Sequence, residues 1–398
     1  MSFVSDQDSP QQLPPNSPLR VCYFGTYRSE YSRNRIMIDG LRRNGVEVVE
    51  CHEPLWRSIE DRVDSVQGGW KRPAFWWRVL RVYARLLRKF HEMGDTYDLL
   101  IVGYPGQFDV YLARLLSWLR RKPLVWDIFM SIYLISVERQ LDTSTPRSID
   151  VIRRVEAMAC RLPDLLILDT KEYVDWFGRT HGVAAQRFRL VPTGADNQIF
   201  QPQPSAPSAQ GIFRVLYYGT FIPNHGVKTI VAAARLLAER RDIHFELIGE
   251  GPDLAEAQRL AREAQLANVT FTGWTEPDRL RQRIADADLC LGVFGQTPQS
   301  LMTVQNKIYE GLAMAKPVLT GDGPAVRAAF GHGEEIYLCP RADGAALAEA
   351  VVHLHQEPEL RRKLAAQGHA AFLAKYTVEQ IGRSYTQHLQ ALLEARRA

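Results

Sequence analysis

Short apolar runs alternate with longer amphipathic stretches along most of this 398-residue chain. In the first half, Arg20–Phe24, Val46–Cys51, Leu99–Val102, Leu124–Trp126, Leu165–Leu168 and Arg189–Val191 read as strands. Pattern of this kind, with helical segments between the runs, predicts a parallel sheet covered on both faces. The segment Gln201–Gln210 is rich in Pro, Ser and Gln, has no periodicity, and reads as a linker. A second series follows, with strands expected at Arg214–Tyr218, His244–Ile248, Val269–Thr272, Leu289–Val293, Val318–Thr320 and Ile336–Leu338. An amphipathic helix is expected over Lys228–Glu239, and helices from Gly344 to about Arg397 close the chain. The fold class is therefore α/β, with two Rossmann-like doubly wound domains facing a cleft. The expected boundaries are a disordered tail at 1–18, an N-terminal domain at 19–200, a linker at 201–211, a C-terminal domain at 212–375 and a last helix at 376–398.

Composition is that of an ordinary globular protein, 46% apolar and 24% charged. The net charge of +4 lies in residues 1–200, which hold 28 Lys/Arg against 24 Asp/Glu, whereas residues 201–398 hold 21 of each. Five scattered cysteines (Cys22, Cys51, Cys160, Cys290, Cys339) without C-x-x-C spacing suit free thiols in a reducing cytosol. The first 18 residues lack the basic-then-apolar pattern of a signal peptide, and no apolar run approaches a membrane span. A cytoplasmic protein, peripheral at most to the inner face of the plasma membrane, is the expectation.

The most telling stretch is Asn306–Pro317, N-K-I-Y-E-G-L-A-M-A-K-P. Lys307 and Glu310 are three residues apart and share a helix face. Gly311, Ala313 and Ala315 permit close packing, and Pro317 ends the helix before a strand. The stretch resembles the nucleotide-sugar-binding motif of retaining, family-4 glycosyltransferases of the GT-B fold. That resemblance implies that Glu310 binds the donor ribose, and that the last helix crosses back onto the N-terminal domain. It spans nearly the whole chain after the tail and is strongest over Arg214–Pro358.

Other loops bear on the same reading. In Leu216–Gly226 a strand runs through Gly219 and Gly226 into a helix whose free N–H groups suit a diphosphate. Thr220 and His225 stand where the family carries an arginine and a lysine, so Lys307 is expected to take over part of the charge compensation, with His225 donating a hydrogen bond. The alternative for His225 is a turn residue with its ring in solvent. Ile248–Pro252, with Gly249, Gly251 and Pro252, and Phe271–Thr275, with Trp274 and Thr275, resemble the base-side loops. Trp274 either stacks on a base or caps the sheet. Asn306 completes the donor set. Eight positions before Glu310, where the family usually has a second glutamate, stands Met302.

In the N-terminal half, Gly25 and Thr26 resemble the loop that faces the donor. Arg28, Arg33 and Arg35 predict a cationic mouth for phosphate or acceptor, or else a solvated helix start. Asp127, at a strand end, orients an acceptor hydroxyl or caps a helix. Gly68–Phe90 holds seven Lys/Arg, six aromatics and no acid. As a helix it places Trp76, Val79, Leu80, Tyr83, Leu86, Leu87 and Phe90 on one face and Arg78, Arg81, Arg85, Arg88 and Lys89 on the other. Either it packs on the sheet with a basic outer face, or it meets an anionic membrane through Trp70, Lys71, Arg72, Phe75 and Trp77.

The expected activity is glycosyl transfer from a nucleotide-diphosphate sugar to a saccharide or lipid-linked acceptor, with retention of configuration, in cell-surface polysaccharide or glycolipid assembly. Lys307, Glu310 and Asp127 are the candidate catalytic residues. No cofactor is expected beyond the co-substrate, no metal, because no His/Asp/Cys cluster has ligand spacing, and no nucleic acid. The alternatives are a nucleotide-sugar epimerase, a phosphorylase, a transferase that only binds donor, or a two-lobed sugar-binding protein.

Overall fold

A computed structural model describes residues 18–55, 73–139, 146–205 and 211–397. Two six-stranded parallel sheets form the frame. The first runs β2 (Glu47–His52), β1 (Arg20–Gly25), β3 (Leu99–Val102), β4 (Leu124–Asp127), β5 (Leu165–Leu168) and β6 (Phe188–Leu190). The second runs β12 (Tyr337–Cys339), β11 (Val318–Gly321), β10 (Leu289–Leu291), β7 (Phe213–Tyr218), β8 (Ile243–Ile248) and β9 (Val269–Thr272). Every expected strand forms, with ends shifted by one or two residues. Both sheets reverse strand order beside their first strand, which opens a crevice at the carboxyl ends.

Each sheet is buried on both faces. In the N-terminal lobe, one face packs under the helices Pro73–Met93, Asp109–Leu119 and Lys171–His181. The other packs under Ser32–Arg43 and the last helix, Val378–Arg397. The last helix thus lies on the lobe opposite to the one that precedes it. Its contact is a glycine crossing: a methyl at Gly382 would sit 2.0 Å from the Gly40 carbonyl oxygen, and one at Gly40 would sit 2.9 Å from the Gly382 Cα. Any side chain at either position would force the helices apart. All five cysteines are buried and free. Among the described residues, no helix is long and apolar enough to cross a membrane.

The Pro73–Met93 helix forms as the periodicity requires, but only part of its apolar face is covered. Val82, Leu86 and Phe90 are buried, while Trp76, Trp77, Leu80 and Leu87 stay exposed. Two of its basic residues turn back to the sheet edge, where Lys89 and Arg85 pair with Glu53 at 2.7 and 3.2 Å. Trp70, Lys71, Arg72 and most of the tail lie outside the described residues.

Candidate active site

In the C-terminal lobe the site grows from the last two residues of β7. Strand alternation sends Tyr217 to one face of the sheet and Tyr218 to the other. The Asn306–Ala313 helix lies on the Tyr218 side, and its two charged residues each reach a tyrosine. The Tyr218 hydroxyl lies 3.2 Å from the Lys307 carbonyl and within reach of the Glu310 carboxylate, and the two share its single proton. The Lys307 side chain crosses the strand end to the far side, where Nζ sits 4.6 Å from the centre of the Tyr217 ring and 3.3 Å from His225 Nδ1.

That crossing explains Gly219. Its φ is +130°, and a methyl group there would stand 3.2 Å from both Lys307 Cε and Nζ. Lys307 is 6% exposed, and no carboxylate lies within ion-pair distance among the described residues. Burial depresses its ammonium to about 7, only partly opposed by Glu310. Burial likewise raises Glu310 to about 6, against the Tyr218 hydroxyl, Lys307 and Arg35. A cation and an anion are thus both held near neutrality for want of a full set of partners. That state suits a site awaiting a charged ligand.

His225 does not project into solvent. Its Nδ1 is 2.6 Å from the Thr220 carbonyl and 2.9 Å from the Tyr217 hydroxyl. A contact that short to a carbonyl makes Nδ1 the protonated nitrogen, which leaves Nε2 a lone pair in the neutral ring. Burial first, then the Lys307 charge, holds the imidazole well below its ordinary value. It therefore donates to a ligand only if an arriving anion favours uptake of a second proton from solvent. Thr220 contributes this carbonyl anchor. Gly249 and Gly251 let the β8 loop lie against the β7 loop: methyls there would stand 1.9 Å from the Gly219 oxygen and 2.5 Å from the Phe221 oxygen. Trp274 is 67% exposed, so it does not cap the sheet, and its backbone N–H contacts Glu250 at 3.4 Å. Pro252 and Thr275 lie in the same two loops, as expected from the sequence.

The N-terminal lobe corrects two expectations. Arg33 and Asp127 are both wholly buried and bind one another, with Nη2 to Oδ1 at 2.9 Å and Nε to Oδ2 at 3.0 Å. Arg33 Nη1 donates to the carbonyls of Val191 and Pro192 at 2.8 and 3.0 Å. Burial disfavours its charge, but Asp127 outweighs this and lifts the guanidinium above its usual value. Neither residue opens onto the cleft: Arg33 adds no charge to a mouth, and Asp127 meets no acceptor. Two positions apart on a helix, Arg33 and Arg35 point about 200° apart, so only one of them can face inward. Arg35 is the one whose charge reaches Glu310 across the cleft. Arg28 is partly exposed, 4.0 Å from Glu30.

The loop at Gly25 and Thr26 is held by Asp109, whose carboxylate accepts from the Thr26 N–H at 2.7 Å and from the Tyr83 hydroxyl at 2.6 Å. A methyl at Gly25 would meet that carboxylate at 2.6 Å. Asp109, Tyr217 and Tyr218 were not singled out from the sequence. The one available signal was their place at strand ends or in the first helical turn after one.

Met302 also finds its place here. It is buried among the core residues of the N-terminal lobe, although it belongs to the C-terminal half. Polar contacts flank it: Thr170 Oγ1 donates to the Met302 carbonyl at 2.6 Å, the Gln299 N–H donates to Glu138 at 2.7 Å, and Asn306 Nδ2 donates to Ser32 Oγ at 2.6 Å. Where the family pattern has an acid, this chain has an apolar plug between its lobes, and Asn306 is a lobe contact.

Residues 212–357 match the family model described as glycosyl transferases group 1. The chain is 26% identical over 326 residues to alpha-D-kanosaminyltransferase of Streptomyces kanamyceticus, spanning 79% of this chain and 81% of that protein. It is 25% identical over 174 residues to the lipopolysaccharide core biosynthesis glycosyltransferase LpsD of Rhizobium meliloti, covering 44% of this chain and 48% of LpsD. Among solved structures it superimposes on Anabaena HepE in complex with UDP, with a TM-score of 0.68 and 15% identity over 94% of this chain and all of that one. Sucrose-phosphate synthase of Thermosynechococcus elongatus gives 0.67 and 18% over 95% and 99%. The matched segment and the relatives are those of glycosyltransferases, and the paired sheets give this chain the GT-B architecture.

Proposed function

We propose that the chain transfers a sugar from a nucleoside-diphosphate sugar to a saccharide or lipid-linked acceptor, with retention of anomeric configuration and without a metal. The observation that carries this reading is the Lys307 ammonium, held across Gly219 at the strand-end crevice with no carboxylate partner among the described residues. In the step itself, the bond from the sugar's anomeric carbon to the diphosphate oxygen breaks. The acceptor oxygen bonds that carbon on the same face, and its proton passes to the departing diphosphate. Negative charge grows on the leaving group, where Lys307 and Arg35 oppose it. Glu310 accepts from the ribose hydroxyls and fixes the donor's register, which is positioning and not proton transfer. Thr26 and Gly25 close the opposite wall, and Arg28 stands at its rim. Exposed Trp274 stacks on the base once a nucleotide is seated.

Retention rests on the resemblance of Asn306–Pro317 to family 4. The setting in polysaccharide or glycolipid assembly rests on what relatives such as LpsD are named for. Thermal-shift binding of UDP, GDP, dTDP, ADP and CMP to wild type and Glu310→Ala tests the donor site. One diphosphate should stabilise the wild type and not the variant; no shift with any of them would remove the main support. Turnover should survive a chelator, and product NMR should show the donor's anomeric configuration.

A further inference from the structure

We infer that the paired outer faces of the Pro73–Met93 and Asp109–Leu119 helices form a docking surface for an anionic phospholipid bilayer. At about 100° per residue, Leu80 and Leu87 stand on the flank of the first helix next to Tyr83. The Tyr83 hydroxyl bonds Asp109 on the second helix, and Phe90 lies 5.9 Å below the Arg120 guanidinium at that helix's other end, so the two helices lie side by side. The uncovered side chains of the first helix therefore continue into those of the second. Trp77 is 66% exposed, Leu80 62%, Trp118 62% and Leu119 71%, with Phe108 at the cleft end of the second helix. The C-terminal lobe has no counterpart, since its exposed large apolar residues, Leu236, Trp274 and Leu373, are scattered over separate elements. A continuous exposed apolar strip of this kind needs a partner.

Charge selects which partner. Pro73–Met93 and Asp109–Lys122 together carry nine Lys/Arg and two acids. Asp109 is buried, Glu92 pairs with Arg88, and acids of neighbouring segments take Arg85 and Lys89 (Glu53), Arg114 (Asp164) and Arg120 (Asp95). That leaves Arg81, Arg121 and Lys122 as the cations with no ion pair among the described residues. Basic residues flank the strip on both helices, with exposed Arg81 on the first and exposed Arg121 just beyond the second. Tryptophan and leucine at the centre with arginine at the rim match the order of a bilayer interface, with acyl chains inside and phosphate outside. A nucleic acid would instead call for basic residues at the centre. The second helix begins beside the Thr26 loop, and the first passes it at Tyr83, so a docked bilayer borders the cleft. Delivery of a lipid-linked acceptor there rests on the proposed transfer; the docking itself does not.

The test is flotation of the full chain with phosphatidylcholine vesicles and with vesicles that also contain phosphatidylglycerol. Wild type should float with the anionic vesicles and not with the neutral ones. Trp77→Ser/Leu80→Ser/Leu119→Ser should lower the partition by about tenfold or more, and Arg81→Glu/Arg121→Glu by about tenfold. Nucleotide-induced thermal shift, run on the same samples, shows that each variant is folded and scores the donor site separately. No flotation of wild type, or equal flotation of the variants, overturns the proposal. So does a dimer in sedimentation that only the apolar variant breaks, because the strip would then be covered by a second copy.

Discussion

Both lobes place an arginine or lysine and a carboxylate at the carboxyl ends of their strands, and the two pairs have opposite fates. In the N-terminal lobe, Arg33 and Asp127 satisfy each other in two contacts, and the remaining guanidinium nitrogen takes two backbone carbonyls. In the C-terminal lobe, Lys307 is nearly as deep and Glu310 half-buried, but each leans on a tyrosine and neither is neutralised. Buried charges that are fully paired build a lobe; buried charges left short of partners bind something. The sequence motif alone gives no means of telling these apart, because pairing is a tertiary property.

The contrast can be broken hardest at Arg33. Arg33→Ala would strand Asp127 in the core and should destabilise the N-terminal lobe by about 3–5 kcal/mol, read as a fall in Tm or in denaturant midpoint. Lys307→Met should do the reverse. Stability holds or rises, because a costly buried ammonium is gone, while kcat falls about 100- to 1,000-fold through lost stabilisation of the leaving diphosphate. If both variants simply unfold, the distinction fails.

Titration sharpens the difference. Diphosphate binding needs Lys307 charged and Glu310 ionised, so affinity should peak between about 6 and about 7. It should weaken about tenfold per pH unit on either side, as measured by calorimetry. The stability signs are separate. With its folded value lowered to about 7 from 10.5, Lys307 makes the folded chain gain stability as pH rises between those values. Glu310, raised from 4.5 to about 6, contributes stability that is full below 4.5 and lost as pH rises through about 6. Lys307→Met should abolish the first slope and move the second to higher pH, because the Lys307 charge no longer holds Glu310 down.

The smallest effect is expected at Tyr218. Tyr218→Phe removes one hydrogen bond to Glu310 and should weaken donor binding by about 1 kcal/mol, with KM rising and kcat nearly unchanged. An unchanged KM would show that Glu310 is held by something else.

Strand positions, the two-domain division and the Asn306–Pro317 motif were legible because they depend on local pattern. An apolar run, a proline stop and a Lys/Glu spacing keep their meaning wherever the chain folds. Met302 shows the limit. As a sequence symbol it was a missing acid, and only packing revealed a side chain inserted in the opposite lobe. Likewise, the apolar face of Pro73–Met93 was visible from its period. How much of that face the sheet covers depended on where the Asp109–Leu119 helix came to lie. What the amino-acid order determined by itself was which segments become strands and helices, and which residues share a face of each. The pairing of Arg33 with Asp127, the crossing of Lys307 over Gly219 and the placement of Tyr217 and Tyr218 join residues up to 94 positions apart. Those were decided by the tertiary structure, because burial and partnership arise only when distant elements meet.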